Sequence, residues 1–135
     1  MENLDKDAIQ IRMVDVLTNH PTISERGYDG DGNYQDLLRS YDVFESCCLI
    51  LRPIDKSKKV GTKHASYGLK HVLEGMIGGY VSNGVAICAL IDCGYTIKVG
   101  TSKRNVSFNM YESDYKELSN RAEAAKLARS LSVPK

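Results

Sequence analysis

The longest strictly apolar run in the chain is Val85–Ile91, Val-Ala-Ile-Cys-Ala-Leu-Ile, with no charged or hydrogen-bonding side chain on any face. A segment this uniform has to be covered on all sides. It is far shorter than the ~20 residues needed to span a bilayer, so its cover has to be protein. Ser82 or Asn83 stands where a helix N-cap would fall, and Gly94 where a left-handed C-terminal residue would fall. The run therefore predicts a core helix, Val85 to Cys93, around which the rest of the chain is arranged.

The flanking segments are read as that cover. Leu4–Leu17 carries apolar residues at Ala8, Ile9, Ile11, Met13, Val16 and Leu17. Asp5 and Asp7 near its start suit the exposed amides of a helix N-terminus, and Asn19-His20-Pro21 ends it. Tyr34, Leu37, Leu38 and Tyr41 are spaced i, i+3, i+4 and i+7, which predicts a short amphipathic helix. Cys47–Arg52, CCLILR, reads as a buried strand stopped by Pro53, and DKSKKVGTK as an exposed connection. Ser66–Ile77 is a helix with Leu69, Val72, Leu73 and Met76 on one face, broken by Gly78-Gly79. Residues 95–99 and 104–110 read as a hairpin around Gly100–Lys103, and Ser113–Leu131 as a long helix. The order predicts an α+β fold, a small antiparallel or mixed sheet backed by about five helices, as one domain over residues 1–135.

Such a chain buries roughly two thirds of its unfolded surface and needs neither disulfide nor metal to hold a core. Its opening, MENLDKDAIQ, has neither a basic leader nor a hydrophobic stretch, which predicts no secretory signal. Cys47, Cys48, Cys88 and Cys93 match no zinc-ribbon or C-x-x-C spacing. They read as buried free thiols in a reducing compartment, so a cytoplasmic protein without metal or cofactor is expected. The Asn105-Val106-Ser107 sequon would then carry no glycan. The net charge of +1 hides an asymmetry: residues 1–45 hold ten acidic and four basic side chains, and residues 46–135 seven and fourteen. Such a dipole steers association with a charged partner, although attraction between the two halves of one fold is the plainer explanation.

No motif declares a reaction. Asp29-Gly30-Asp31-Gly32-Asn33 opens like a calcium loop, but Tyr34 and Ser40 stand where glycine and glutamate belong, and it reads as a polar turn. His71 can be drawn as a base with Ser66 or Tyr67 as partner and Asn83 binding substrate. No carboxylate is evident from spacing to orient His64 or His71, so the plainer reading is a solvated face carrying Lys70, His71, Glu74 and Tyr80, with Lys70 and Glu74 spaced to pair at i, i+4. Ser66–Ile77 followed by Asn83–Cys93 has the outline of a helix-turn-helix, yet the second helix offers almost no polar side chain to meet base edges. Two basic clusters remain, Lys56, Lys58, Lys59 and Lys63 in one loop and Lys98, Lys103 and Arg104 at the hairpin. Either suits a phosphate backbone or an acidic protein face.

Ser66-Tyr67-x-Leu69-Lys70-His71 with Glu74, then Tyr80-Val81-Ser82-Asn83-Gly84 and Phe108-Asn109, resembles a pattern in small uncharacterised proteins of phages, plasmids and integrative elements. The resemblance covers about a third of the chain and implies a mobile-element setting. Small proteins encoded there often block a host defence complex or associate with the element's own DNA. The expectation is a binding or regulatory protein with a macromolecular partner, protein rather than nucleic acid, and no membrane segment. A nucleic-acid-binding accessory protein and a small enzyme centred on His71 are the alternatives.

Overall fold

The apolar run sits where its composition requires, inside a cage of helices. The computed structural model describes residues 2–30 and 35–132. In chain order its elements are α1 (Glu2–Asn19), α2 (Gln35–Arg39), α3 (Tyr41–Leu51), α4 (Ser66–Ile77), α5 (Asn83–Asp92), β1 (Ile97–Val99), β2 (Val106–Phe108) and α6 (Glu112–Ser132). Helix α5 is the apolar run, buried from Asn83 to Leu90, with α1, α3 and α4 packed around it and α6 lying along α4. Its ends are set locally. The Ser82 hydroxyl accepts the Val85 amide at 3.1 Å. Gly94 adopts φ +89°, which lets the Tyr95 amide return to the Leu90 carbonyl.

The fold is α+β with one antiparallel two-stranded sheet, in which Ile97 faces Phe108 and Val99 faces Val106. The turn runs where the sequence put it: the Lys103 amide bonds the Gly100 carbonyl, and Lys103 takes the left-handed conformation common in such loops.

One expected strand is absent. Cys47–Leu51 is the end of α3, and Arg52 is its C-cap. Phe44, Cys47, Cys48 and Leu51 are buried at i, i+3, i+4 and i+7, while Leu49 is 61% exposed. An unbroken apolar run carries no readable period, and the helical one emerges only when the pattern is followed back to Phe44. Tyr41 accordingly opens α3 and does not close the short helix before it. Asp31, Gly32 and Asn33 of the calcium-like motif, and Tyr34 of the expected short helix, lie outside the described residues.

A charge cluster ties three helices at the C-terminal end of α5. Arg12 of α1 reaches Asp92 at 2.7 Å and Glu45 of α3 at 2.7 Å, and Arg52 reaches Asp92 at 3.3 Å. A carboxylate in the last turn of a helix opposes the helix dipole, and two guanidinium groups offset it here.

Candidate functional site

The expected His71 constellation does not assemble. Ser66 is buried, and its hydroxyl accepts the Val106 amide at 3.0 Å, fastening α4 to β2. Asn83 is buried as well. Its Nδ2 donates to the Arg26 and Arg104 carbonyls and to Asn105 Oδ1, while its Oδ1 has no partner among the described residues. Both side chains hold the hairpin to the helices, and neither lines the cleft beside His71. Tyr67 does touch His71, edge to face at 4.7 Å between ring centroids.

What assembles instead is a hub on Glu74. Its Oε2 accepts the Lys70 ammonium and the Val81 amide, each at 3.0 Å, and its Oε1 pairs with His71 Nδ1 at 2.9 Å. The expected Lys70–Glu74 pair is present, but Lys70 is only 6% exposed, its Nζ 4.8 Å from the Tyr80 ring centroid. His71 has a carboxylate partner after all, one turn on. So does His64, whose Nε2 meets Glu112 Oε1 at 2.7 Å from 48 positions away, beyond the reach of any spacing rule. His71, Glu74, Tyr80, Lys126 and Arg129 line an open cleft of about 460 Å³.

Burial opposes ionisation of Glu74, but the Val81 amide, Lys70 and His71 outweigh it and hold the carboxyl below its usual value of 4.5. A folded pKa below the unfolded one contributes stability that is present above the unfolded value and lost as pH falls through the folded one. Glu74→Gln should therefore cost roughly 1 kcal/mol at pH 7 and much less in strong acid, read as urea midpoints at the two pH values.

The basic residues divide by role. Lys56 is half-buried, its ammonium 4.4 Å from the Tyr95 ring centroid and donating to the Ile54 carbonyl. Lys63 pairs with Glu112 at 3.3 Å. Lys58, Lys59, Lys98, Lys103 and Arg104 are exposed and make no ion pair among the described residues. The two clusters do not merge. Lys56 bridges to Met110 beyond the open end of the hairpin, whereas Lys103 and Arg104 form its turn. That turn is bound to the acidic half of the chain: the Arg104 and Lys103 carbonyls accept the Tyr28 and Asp29 amides, each at 2.8 Å.

The acidic half carries a surface that the sequence reading did not single out. Ile9, Met13, Val16 and Leu17 of α1 are buried, but Ile11 is 67% and Val14 43% exposed. Asp7, Ile11, Val14 and Asp15 follow one another at i, i+4, i+7 and i+8, so carboxylates flank the apolar pair along one stripe. The Gln10 amide donates to the Leu38 carbonyl at 2.9 Å, bringing α2 alongside. The resulting groove of about 410 Å³ is lined by Asp7, Gln10, Ile11, Val14 and Leu38. Ile11 lies two residues, about 200° of helical rotation, from the core residue Ile9, and that phase was the available signal.

One cluster has the donor set of a metal centre: the side chains of Cys48, Asp92 and Cys93, brought together where α3 meets the end of α5. The Cys48 thiol and the nearby Arg52 and Lys56 lower the Cys93 pKa against the pull of burial, while the same contact with Cys93 raises that of Cys48. Burial pushes Cys47 and Cys88 up to about 12. Among the described residues no helix is long and apolar enough to cross a membrane. No family model matches the chain, and neither a curated protein nor a solved structure matches it.

Proposed function

We propose that this protein acts by binding a macromolecular partner, not by catalysis, and that its interface is the groove between α1 and α2. The observation that carries the reading is the pair Ile11 and Val14, exposed side by side between Asp7 and Asp15. Apolar side chains left open on an otherwise well-filled helix mark an interaction surface, and carboxylates around them select a partner of opposite charge. The partner is a protein presenting a basic, amphipathic segment. With the resemblance to small proteins of mobile elements, the reading extends to an inhibitor of a host defence complex.

The test is a titration of isotope-labelled protein with a model amphipathic helix of leucine and lysine, followed by NMR. Shifts confined to Asp7, Ile11, Val14, Asp15 and Leu38 are expected. The double variant Ile11→Glu/Val14→Glu should weaken binding by roughly a hundredfold, since covering the exposed half of each side chain contributes about 1–1.5 kcal/mol. Salt should weaken it further. A parallel titration with a DNA duplex decides the alternative. Shifts at Lys58, Lys59, Lys98, Lys103 and Arg104 with DNA, and none at the groove with the peptide, would replace this reading by nucleic-acid binding.

A further inference from the structure

The contact between α3 and α5 joins two cysteines that stand 45 positions apart. The Cys48 and Cys93 sulfurs and a carboxylate oxygen of Asp92 lie within 4.8 Å of one another. The Cys48 thiol points at Asp92 Oδ2 at 3.6 Å, and the Cys93 thiol at the Cys48 carbonyl at 3.6 Å. We propose that Cys48, Asp92 and Cys93 bind one divalent transition-metal ion of the zinc class.

Two observations beyond proximity support this. The first is donor chemistry. Two sulfurs and one oxygen suit a borderline-soft ion such as zinc, whereas magnesium and calcium take oxygen donors. Asp92 already accepts Arg12 and Arg52, so most of the charge that would attract a hard cation is spent. The two sulfurs therefore decide the class of ion, with a carboxylate oxygen of Asp92 as the third donor.

The second is charge balance. With both thiols protonated, Asp92 and Glu45 offset Arg12 and Arg52, and Lys56 adds a further positive charge near Cys93. Binding replaces two thiol protons by one dication: two S–H bonds break, two S–metal bonds form, two protons go to solvent, and no electron moves. The exchange leaves the net charge of the site unchanged, so the bound dication adds no uncompensated charge to it. Access is from the side of Arg52, whose side chain is half exposed and covers Asp92. Three protein donors leave the fourth tetrahedral position to water.

The experiment uses the full chain, reduced and stripped of metal, titrated with Co²⁺ and then with Zn²⁺. One equivalent of Co²⁺ should produce a thiolate-to-metal charge-transfer band, release two protons, and be displaced by Zn²⁺. Cys93→Ser should abolish the band, and Cys88→Ala should keep it, with circular dichroism confirming the fold of both. Should either variant fail to fold, X-ray absorption of the zinc-loaded wild-type protein decides, with two sulfur neighbours expected. Absence of the band in the wild-type protein, a band that survives Cys93→Ser, or a shell of four sulfurs would each overturn the proposal.

Discussion

Gly84→Ala should lower stability by about 3 kcal/mol, the upper part of the range for overpacking a filled site. Gly84 opens α5, and its missing side chain is where the segment after α1 passes across the helix. A Cβ built there would lie 1.9 Å from the Ser24 carbonyl oxygen and 2.8 Å from the Ser24 carbonyl carbon. Backbone cannot swing aside as a flexible side chain can, so α5 and the 24–27 turn must part. The separation also breaks the hydrogen bond from the Gly84 amide to the Glu25 carbonyl. The melting midpoint should fall by about 10 °C for a chain of this size. Gly61→Ala supplies the control, because a Cβ there meets nothing within 4 Å, and its midpoint should stay within about 2 °C of the wild type. Equal midpoints for the two variants would mean that the turn does not cross α5 as described.

Phe44→Ala is expected to cost about 3–5 kcal/mol, the largest loss of any single truncation considered. The ring is fully buried between α1, α3 and α5, with the Arg12 guanidinium 5.3 Å from its centroid. Truncation therefore opens a cavity and also frees the side chain on which the Arg12–Asp92–Glu45 cluster is seated. The same helix supplies a discriminating partner experiment. Leu49→Lys should change stability by less than about 0.5 kcal/mol, since that side chain faces water. A buried strand over 47–52 would have made Leu49 one of its costly positions. Denaturant midpoints for the pair thus report whether this segment is helical.

That segment also shows where sequence reading loses its grip. Periodicity is informative when polar residues interrupt apolar ones, as in α4, where Leu69 and Leu73 point inward and Tyr67 and His71 outward. CCLILR has no interruptions before its arginine, so strand and helix fit it equally well, and its short length before Pro53 tilted the reading. In the structure its neighbours decide. Inside a helical cage Phe44, Cys47, Cys48 and Leu51 form one buried stripe against α1 and α5.

The candidate sites were legible in a different measure. Spacing identified Lys70 with Glu74, and the reading of one helix face drew attention to the segment holding His71 and Tyr80. It also drew attention to Ser66 and Asn83, whose buried hydroxyl and amide turn out to fasten the hairpin. Composition correctly flagged an acidic N-terminal half, but Ile11 was grouped with the apolar residues that cover the core and Val14 was passed over. A periodic pattern says that one face is inside; with two imperfectly separated faces, as at Ile9 and Ile11, it does not say which residue is left over.

By itself the sequence determined what rests on neighbours within a few residues. The apolar run made α5 the centre, Ser82 and Gly94 set its ends, Gly78 stopped α4, and Gly100–Lys103 turned the hairpin. These are local because caps, turns and helical periods need only nearby dihedral angles and the nearest hydrogen bonds. The tertiary structure alone decided the state of 47–51 and which charges meet: Glu112 with His64, Asp92 with Arg12 and Arg52, Cys48 with Cys93. Those pairings require distant segments to close on one another, and what brings them together is the burial of α5, a non-directional force that leaves no spacing in the sequence to read.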